Sequence, residues 1–176
     1  MAGTDPDLSL VRRLKAKGRY EEALHQLEAW LTADPDNPIL LYEMASGLDN
    51  QGLEDRAIPY YRRALDAGLD PVHRVDCLVG LGSSLRVVGR IQESHAVLKQ
   101  GMKEYPHHLA LKVFYALTLE KMGDYGDAIF ELLDVIAKPD RQDSLNLYQR
   151  AILYYRDHRH DFVGKGTQTE TSDPEE

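Results

Sequence analysis

Four glycines recur in the same local context along this chain, and the spacing between them constrains the fold more than any other feature. They are Gly18, Gly52, Gly89 and Gly123, separated by 34, 37 and 34 residues. A period near 34 is typical of helix-turn-helix repeats, whose units cannot bury their apolar faces alone and stack on one another. The spacing therefore predicts an all-α protein built from about four similar units.

The residues around each glycine keep their character from unit to unit. Bulky residues stand four and eight positions before it: Leu14, Leu48, Leu85, Leu119 and Leu10, Met44, Leu81, Tyr115. Mostly small residues stand seven before and five after: Val11, Ala45, Gly82, Ala116 and Ala23, Ala57, Ser94, Ala128. Nine after stand Leu27, Tyr61, Leu98 and Leu132. These spacings predict two amphipathic helices joined at the glycine, and the small residues allow the helices to cross closely.

Each unit closes on a proline, which ends one helix and is tolerated in the first turn of the next. These are Pro35, Pro71, Pro106 and Pro139. The segments "RYEEALHQLEAWLTADPDNP" and "LEDRAIPYYRRALDAGLDP" resemble the second helix of the tetratricopeptide repeat, and "CLVGLGSSLRVVGRIQES" resembles its first helix and turn. The resemblance implies a right-handed solenoid, with repeats near 4–37, 38–74, 75–108 and 109–140.

The chain after the fourth unit predicts one more helix, at about 142–158, which completes a domain over 1–160. Two apolar faces adjoin on this helix: Leu145, Tyr148, Ile152, Tyr155 and Leu147, Ala151, Tyr154. We expect the first face to cap the fourth repeat and the second to meet either the folded-back tail or another chain, since so much apolar surface is unfavourable in water. Residues 161–176 end in an acidic stretch without large apolar residues, which predicts a disordered tail.

Composition limits the possible partners and compartments. The net charge of −8 and the absence of aromatic residues among the basic residues of the first unit argue against nucleic acid as a partner. No apolar run approaches the ~20 residues that span a bilayer, and the first residues do not have the pattern of a secretory signal. A single cysteine, Cys77, fits a reducing compartment. We therefore expect a cytoplasmic protein with no membrane partner.

No motif supports catalysis, a cofactor or a metal. The pair Gly80 and Gly82 lies in a predicted helix and not after a strand, and the run 164–167 lacks the spacing of a phosphate-binding loop. His73 and Cys77 have no orienting third group. The remaining histidine pairs, at 107–108 and 158–160, do not join cysteines or carboxylates at ligand spacing. The sequence predicts that the chain is not an enzyme.

The resemblance implies where a partner would bind. In tetratricopeptide proteins the first helices of successive units line a concave groove, and residues one turn apart on that face contact the partner. Carried onto this sequence, the candidates are Leu8, Arg12, Lys15, Tyr42, Ser46, Asp49, Val79, Ser83, Arg86, Val113, Leu117 and Glu120. Tyr42, Val79 and Val113 stand where a clamp for chaperone C-terminal carboxylates would need polar or basic side chains, so that class of ligand is disfavoured.

Three functions remain open at this stage. The first is a non-enzymatic adaptor or scaffold that binds a peptide or helix of a partner protein in the groove. The second is a structural homo-oligomer, such as a homodimer assembled through the C-terminal helix or the groove. The third, more remote, is a regulatory subunit of an enzyme. The sequence does not identify the partner, the pathway or the organism.

Overall fold

The computed structural model describes residues 6–138 and 145–158, and within these ranges it contains nine α-helices and no strand. The helices are α1 Leu8–Ala16, α2 Tyr20–Ala33, α3 Pro38–Asp49, α4 Glu54–Ala67, α5 Pro71–Val87, α6 Ile91–Glu104, α7 Leu109–Met122, α8 Tyr125–Ala137 and α9 Gln149–Asp157. A short 3₁₀ turn, Asn146–Tyr148, leads into α9. The prediction of an all-α fold is confirmed. The tail proposed for 161–176 lies outside the described residues.

The first eight helices form four successive pairs, and each pair turns at one of the recurring glycines. Gly18, Gly52, Gly89 and Gly123 have φ angles of 73°, 72°, 81° and 85°. This left-handed backbone is unfavourable for a residue with a β-carbon, which explains why glycine recurs at the turn. The turn brings the second helix of each pair back along the first.

Two of the connections between pairs are defined by caps. Asn37 accepts hydrogen bonds from the backbone of Ile39 and Leu40, and Pro38 occupies the first turn of α3. Asp70 and Pro71 begin α5 in the same way. An oxygen at the N-cap satisfies backbone donors that the first turn leaves unpaired, and proline loses no hydrogen bond there.

Close helix crossings account for the small-residue columns. A β-carbon added at Gly82 would lie 2.5 Å from the side chain of Leu98. At Gly82, therefore, the backbone of α5 directly contacts a side chain of α6. Ser94 is fully buried and donates from Oγ to the Gly82 carbonyl at 2.7 Å. Ala23 and Ala57, at the position equivalent to Ser94, are fully buried as well. A larger residue at these positions would force the paired helices apart.

The two ends of the helix stack depart from the column pattern. Eight positions before the glycine, Leu10 is 36% exposed whereas its three equivalents are at most 8% exposed. This column faces the preceding pair, as shown by Tyr115, whose hydroxyl lies 2.9 Å from Nε2 of His95 on α6. Among the described residues no pair precedes the first one, and Leu10 is left partly in water. Leu132, at the other end, is likewise 37% exposed.

Candidate protein-binding groove

The candidate groove is the surface formed by the first helices of the four pairs, which lie side by side. We divide it into an N-terminal half, on α1 and α3, and a C-terminal half, on α5 and α7. The first half carries polar and charged side chains that pair with one another. The second half is covered by α9. The two halves therefore offer different surfaces to a ligand.

A buried carboxylate organises the N-terminal half. Glu43 is 3% exposed, and its carboxylate lies 3.0 Å from Nε of Arg12 and also pairs with Nζ of Lys15. Lys15 additionally donates to Oγ of Ser46 at 3.3 Å. Burial raises the pKa of Glu43, but Lys15 and Arg12 together outweigh this effect and hold it below its ordinary value. Three candidate groove residues are thus brought together by a fourth residue that is absent from the predicted set.

The boundary between the two halves is also polar. Oδ1 of Asp49 accepts a hydrogen bond of 2.8 Å from Ser84, and its Oδ2 accepts one of 3.3 Å from the hydroxyl of Tyr61. Burial raises the pKa of Asp49 to about 6, although both hydrogen bonds oppose this effect. Tyr42 lies nearby, with its ring centroid 6.4 Å from that of Tyr61 and 5.7 Å from that of His73. Half-buried Leu8 packs against the same core cluster as Tyr42.

Tyr155 of α9 occupies the C-terminal half of the groove. Its hydroxyl lies 3.0 Å from Oγ of Ser83, and the guanidinium carbon of Arg86 stands 4.3 Å from its ring centroid. The same ring meets Phe114 of α7 edge-on at 6.2 Å. Arg86 is only 4% exposed, and burial lowers its pKa, an effect that Tyr155 and Glu120 oppose. The stacking of a desolvated guanidinium on an aromatic ring is a favourable contact of up to about 2 kcal/mol.

A second tyrosine holds the start of α9 at the same helices. The hydroxyl of Tyr148 donates to Oδ1 of Asp76 on α5. Its ring meets Phe114 at 5.9 Å and His108 at 6.0 Å, both edge-on. Burial and the neighbouring carboxylate of Asp76 both raise the pKa of Tyr148. The two tyrosines lie seven residues apart, which is two helical turns, and both reach across α5 and α7.

Apolar contacts complete the attachment of α9. Leu145 and Ile152 pack against a small cluster of Leu109, Val113 and Val135. Val79 and Leu117, the other apolar groove candidates of this half, belong to the cluster that Tyr148 and Tyr155 contact. The sequence predicts a helix that caps the fourth repeat. The structure differs, because Tyr148 and Tyr155 also reach α5 and cover the groove side of the third pair.

The predicted second face of α9 divides between two environments. Leu147 is 73% exposed and Tyr154 is 50% exposed, whereas Ala151 is half-buried and packs against the cluster beneath α9. Tyr154 stacks on the imidazole of His158, with ring centroids 4.3 Å apart. Leu147 and Tyr154 are therefore the members of this face that stand at the surface.

The residues weighed for chemistry lie in unreactive surroundings. Cys77 is fully buried, with Sγ 3.4 Å from the carbonyl of Tyr61, and burial raises the pKa of its thiol to about 12. A thiol in such a site is a poor nucleophile. Gly80 and Gly82 lie inside α5, while 164–167 and His160 lie outside the described residues. Within 6–138 and 145–158, no three histidine, cysteine or acidic side chains converge as they would around a metal ion.

The predicted set omits two residues that organise the groove, Glu43 and Asp76. Both carried a signal in the sequence. Asp76 stands three positions before Val79, so it continues the helical face formed by Val79, Ser83 and Arg86. Glu43 is a carboxylate next to Met44 in an otherwise apolar helix start, and such a residue is buried only with a cationic partner.

Comparison with known proteins agrees with this architecture. The tetratrico peptide repeat family model matches residues 38–158. A 100-residue stretch is 29% identical to rat (Rattus norvegicus) DnaJ homolog subfamily C member 3, and the match spans 57% of this chain but only 17% of that protein.

Solved structures show the same fold at low sequence identity. MamA of Desulfovibrio magneticus RS-1 is 18% identical with a TM-score of 0.65, and the match covers 88% of this chain and 89% of that one. YrrB, a tetratricopeptide protein described as having an unusual peptide-binding site, is 20% identical with a TM-score of 0.65, over 79% and 71% of the two chains. In the described ranges, no helix has the length and apolar character needed to cross a bilayer. The glycine-centred helix pairs and the family match together show that this chain belongs to the tetratricopeptide repeat family.

Proposed function

We propose that this protein is a non-enzymatic adaptor or scaffold that binds a peptide or a helix of a partner protein in its concave groove. The observation that carries the proposal is α9 itself. A helix already lies on the groove surface of α5 and α7, held by Tyr148, Tyr155 and the contacts with Arg86. The groove is thus compatible with a helical ligand, and helix-in-groove binding is a recurrent mode of peptide recognition.

The N-terminal half supplies the surface for a ligand from another protein. The side chain of Arg12 remains 55% exposed although it pairs with Glu43, and Tyr42 and Ser46 are half-buried beside it. We propose that a partner contacts Arg12, Ser46 and Tyr42 first. Family membership supports a protein or peptide as the partner class, and the peptide-binding site described for YrrB is a precedent within the same fold. A cytoplasmic location is part of this proposal.

Matched arginine variants test the groove as the binding site. Full-length wild type, Arg12→Ala and Arg13→Ala are used to capture proteins from native lysate, and the mass of each complex is measured by light scattering. Arg12 and Arg13 are adjacent in α1 and both exposed, but only Arg12 pairs with the groove residue Glu43. We expect Arg12→Ala to lose a partner that wild type and Arg13→Ala both retain. Equal capture by all three proteins would contradict the groove proposal.

A second candidate is a structural homo-oligomer assembled through the C-terminal helix. The observation that favours it is the exposure of Leu147, in the 3₁₀ turn before α9, and of Tyr154 on the outer side of α9. Replacing both residues with aspartate should then reduce the mass measured in solution to that of one chain. An unchanged mass would remove this surface from consideration.

A further inference from the structure

Helix α8 presents a large apolar surface that neither the groove nor α9 uses. Six of its side chains are 37–69% exposed: Tyr125, Ile129, Phe130, Leu132, Leu133 and Ile136. We call this set the α8 face. Contacts of α9 reach α8 at Val135, on its other side.

Three of the six exposed residues occupy repeat positions that are buried in the earlier pairs. In α2, α4 and α6 the residues six, nine and thirteen positions after the turn glycine are buried or half-buried: Leu24, Leu27, Leu31, Ile58, Tyr61, Leu65, His95, Leu98 and Met102. Several of them contact the following pair, as Leu24 does at Gly47, Tyr61 at Gly80 and His95 at Tyr115. The same positions in α8 hold Ile129, Leu132 and Ile136. They are exposed because no further pair follows among the described residues. The end of the helix stack therefore retains a surface built to be covered.

Two further exposed residues, Phe130 and Leu133, have no apolar equivalent of similar size in the earlier pairs. Seven and ten positions after the glycine, α2, α4 and α6 carry residues suited to an outer surface: His25, Pro59, Ala96, Glu28, Arg62 and Lys99. In α8 these positions hold Phe130 and Leu133, which are 69% and 58% exposed. Phe130 and Leu133 thus place large apolar side chains at positions that are polar or small in the other pairs, which makes the α8 face wider. A wide exposed apolar patch is typical of an interaction surface.

The rest of this chain is poorly suited to cover the α8 face. Residues 139–144 read "PDRQDS", and the segments 1–5 and 159–176 contain Met1, Phe162 and Val163 as their only large apolar residues. Three side chains cannot match six. The occupant must bring an apolar surface of similar size, and a second α8 face is one such surface.

The apolar area of the α8 face fits self-association. An aromatic side chain presents ~150–250 Å² when fully exposed, so six partly exposed side chains leave roughly 600 Å² of apolar surface. A standard interface buries about 800 Å² per partner, of which a little over half is apolar. The charges near the end of α8 are already paired within the chain, since Lys138 contacts Asp134 at 3.4 Å and Asp134 also contacts Lys112 at 2.6 Å. In an antiparallel pair the helix dipoles would oppose, which favours this orientation over a parallel one.

We infer that the α8 face binds the α8 face of a second copy, antiparallel and across a two-fold axis. Leu133 and Ile129 lie near that axis, and Tyr125 of one copy lies near Ile136 of the other. A two-fold interface uses the same patch on both subunits, which is what a self-complementary helix provides. This assignment depends neither on the groove ligand nor on Leu147 and Tyr154 of α9.

Mass measurements on full-length variants test the inference. Wild type should sediment at twice the 20.0 kDa chain mass. Phe130→Glu with Leu133→Glu should raise the dimer dissociation constant by at least about 30-fold, because it places charges at the interface centre. Both residues are exposed in the single chain and glutamate is a good helix former, so the circular dichroism spectrum should not change. The melting temperature should lose its dependence on protein concentration and fall only by the contribution of dimerisation. Leu147→Glu with Tyr154→Glu tests the competing interface at the C-terminal helix and should remain dimeric under this inference. Val72→Glu, at an exposed apolar residue of α5 outside both surfaces, is the control.

A cysteine variant tests the geometry directly. Position 129 of one copy lies opposite position 133 of the other, so in a Cys77→Ser background an equal mixture of Ile129→Cys and Leu133→Cys chains should form a mixed intermolecular disulfide readily. Leu147→Cys should not form one with either. A monomeric wild type would overturn the inference, and so would a dimer that dissociates only in the variant of Leu147 and Tyr154. If the wild type is monomeric and the double glutamate variant increases hydrogen exchange in 159–176, the α8 face belongs to that segment instead.

Discussion

The two halves of the groove are built from equivalent positions of the repeat but have opposite chemistry. In the N-terminal half, Glu43 is buried with Arg12 and Lys15, and charge pairing holds the surface together. In the C-terminal half, Arg86 is buried beneath an aromatic ring of α9. The comparison teaches that a cation in this groove is stabilised either by a carboxylate within the repeats or by a side chain from a helix laid over them. The N-terminal half is left open to a ligand from another protein. The C-terminal half is already covered by α9 of this chain.

The largest effect should come from breaking the charge pairing of the N-terminal half. Lys15→Met leaves Glu43 with a single cationic partner in a site that is 3% exposed, and we expect the free energy of unfolding to fall by about 3 kcal/mol. Chemical denaturation measures this loss. Adding Glu43→Gln should restore more than half of it. The exposed Lys17→Met is the control and should change stability by less than about 0.5 kcal/mol. Equal losses for Lys15→Met and Lys17→Met would remove the distinction between the two halves.

A smaller and more local effect should follow from releasing α9. Tyr155→Ala removes the contacts with Ser83, Arg86 and Phe114, and we expect a loss of about 2 kcal/mol confined to the C-terminal half. Hydrogen exchange should rise in Gln149–Asp157 and remain unchanged in α1 and α3. Tyr154→Ala, one residue away and half exposed, should have little effect. Faster exchange throughout the chain would mean that α9 is part of the core and not a separable occupant of the groove.

The smallest effect concerns Asp49 at the boundary between the halves. Its pKa is raised from 3.8 to about 6, so between these pH values the folded protein retains a proton that the unfolded chain releases. Stability from this group is therefore lost as pH rises, by about 1 kcal/mol between pH 5 and pH 6. Asp49→Asn should remove this part of the pH dependence, as measured by melting temperature at each pH. An identical pH profile in the variant would show that Asp49 has an ordinary pKa.

The sequence was sufficient for the fold because the repeat is local. Each turn glycine needs a left-handed backbone, and each small residue such as Ala57 or Ser94 lies at a close crossing, so the columns can be read along the chain without knowing the tertiary structure. The placement of α9 could not be read in this way. It depends on Tyr148 reaching Asp76 across 72 residues, and no periodicity links those two positions.

The candidate groove residues were predicted from family resemblance, and whether they bind a partner remains a prediction. The structure adds what surrounds them. Arg12 and Lys15 converge on Glu43, while Ser83 and Arg86 converge on Tyr155. The exposed α8 face was not foreseen either, because a column of apolar residues reads the same in the sequence whether or not a further helix pair covers it. Leu132 is exposed and its equivalent Leu98 is buried because a helix pair follows α6 but none follows α8 among the described residues.

The central claim is that α9 lies in the C-terminal half of the groove, and contacts of Tyr155 measured by nuclear Overhauser effects in the full-length protein test it most directly. With ring centroids 6.2 Å apart, Tyr155 and Phe114 should give strong cross-peaks, and the side-chain protons of Arg86, whose guanidinium lies 4.3 Å from the Tyr155 ring centroid, should be shifted by the ring current. Cross-peaks from Tyr155 to both Phe114 and Arg86 are the predicted result. A Tyr155 ring with no contact to either residue, in a protein whose other helices are intact, would contradict the claim.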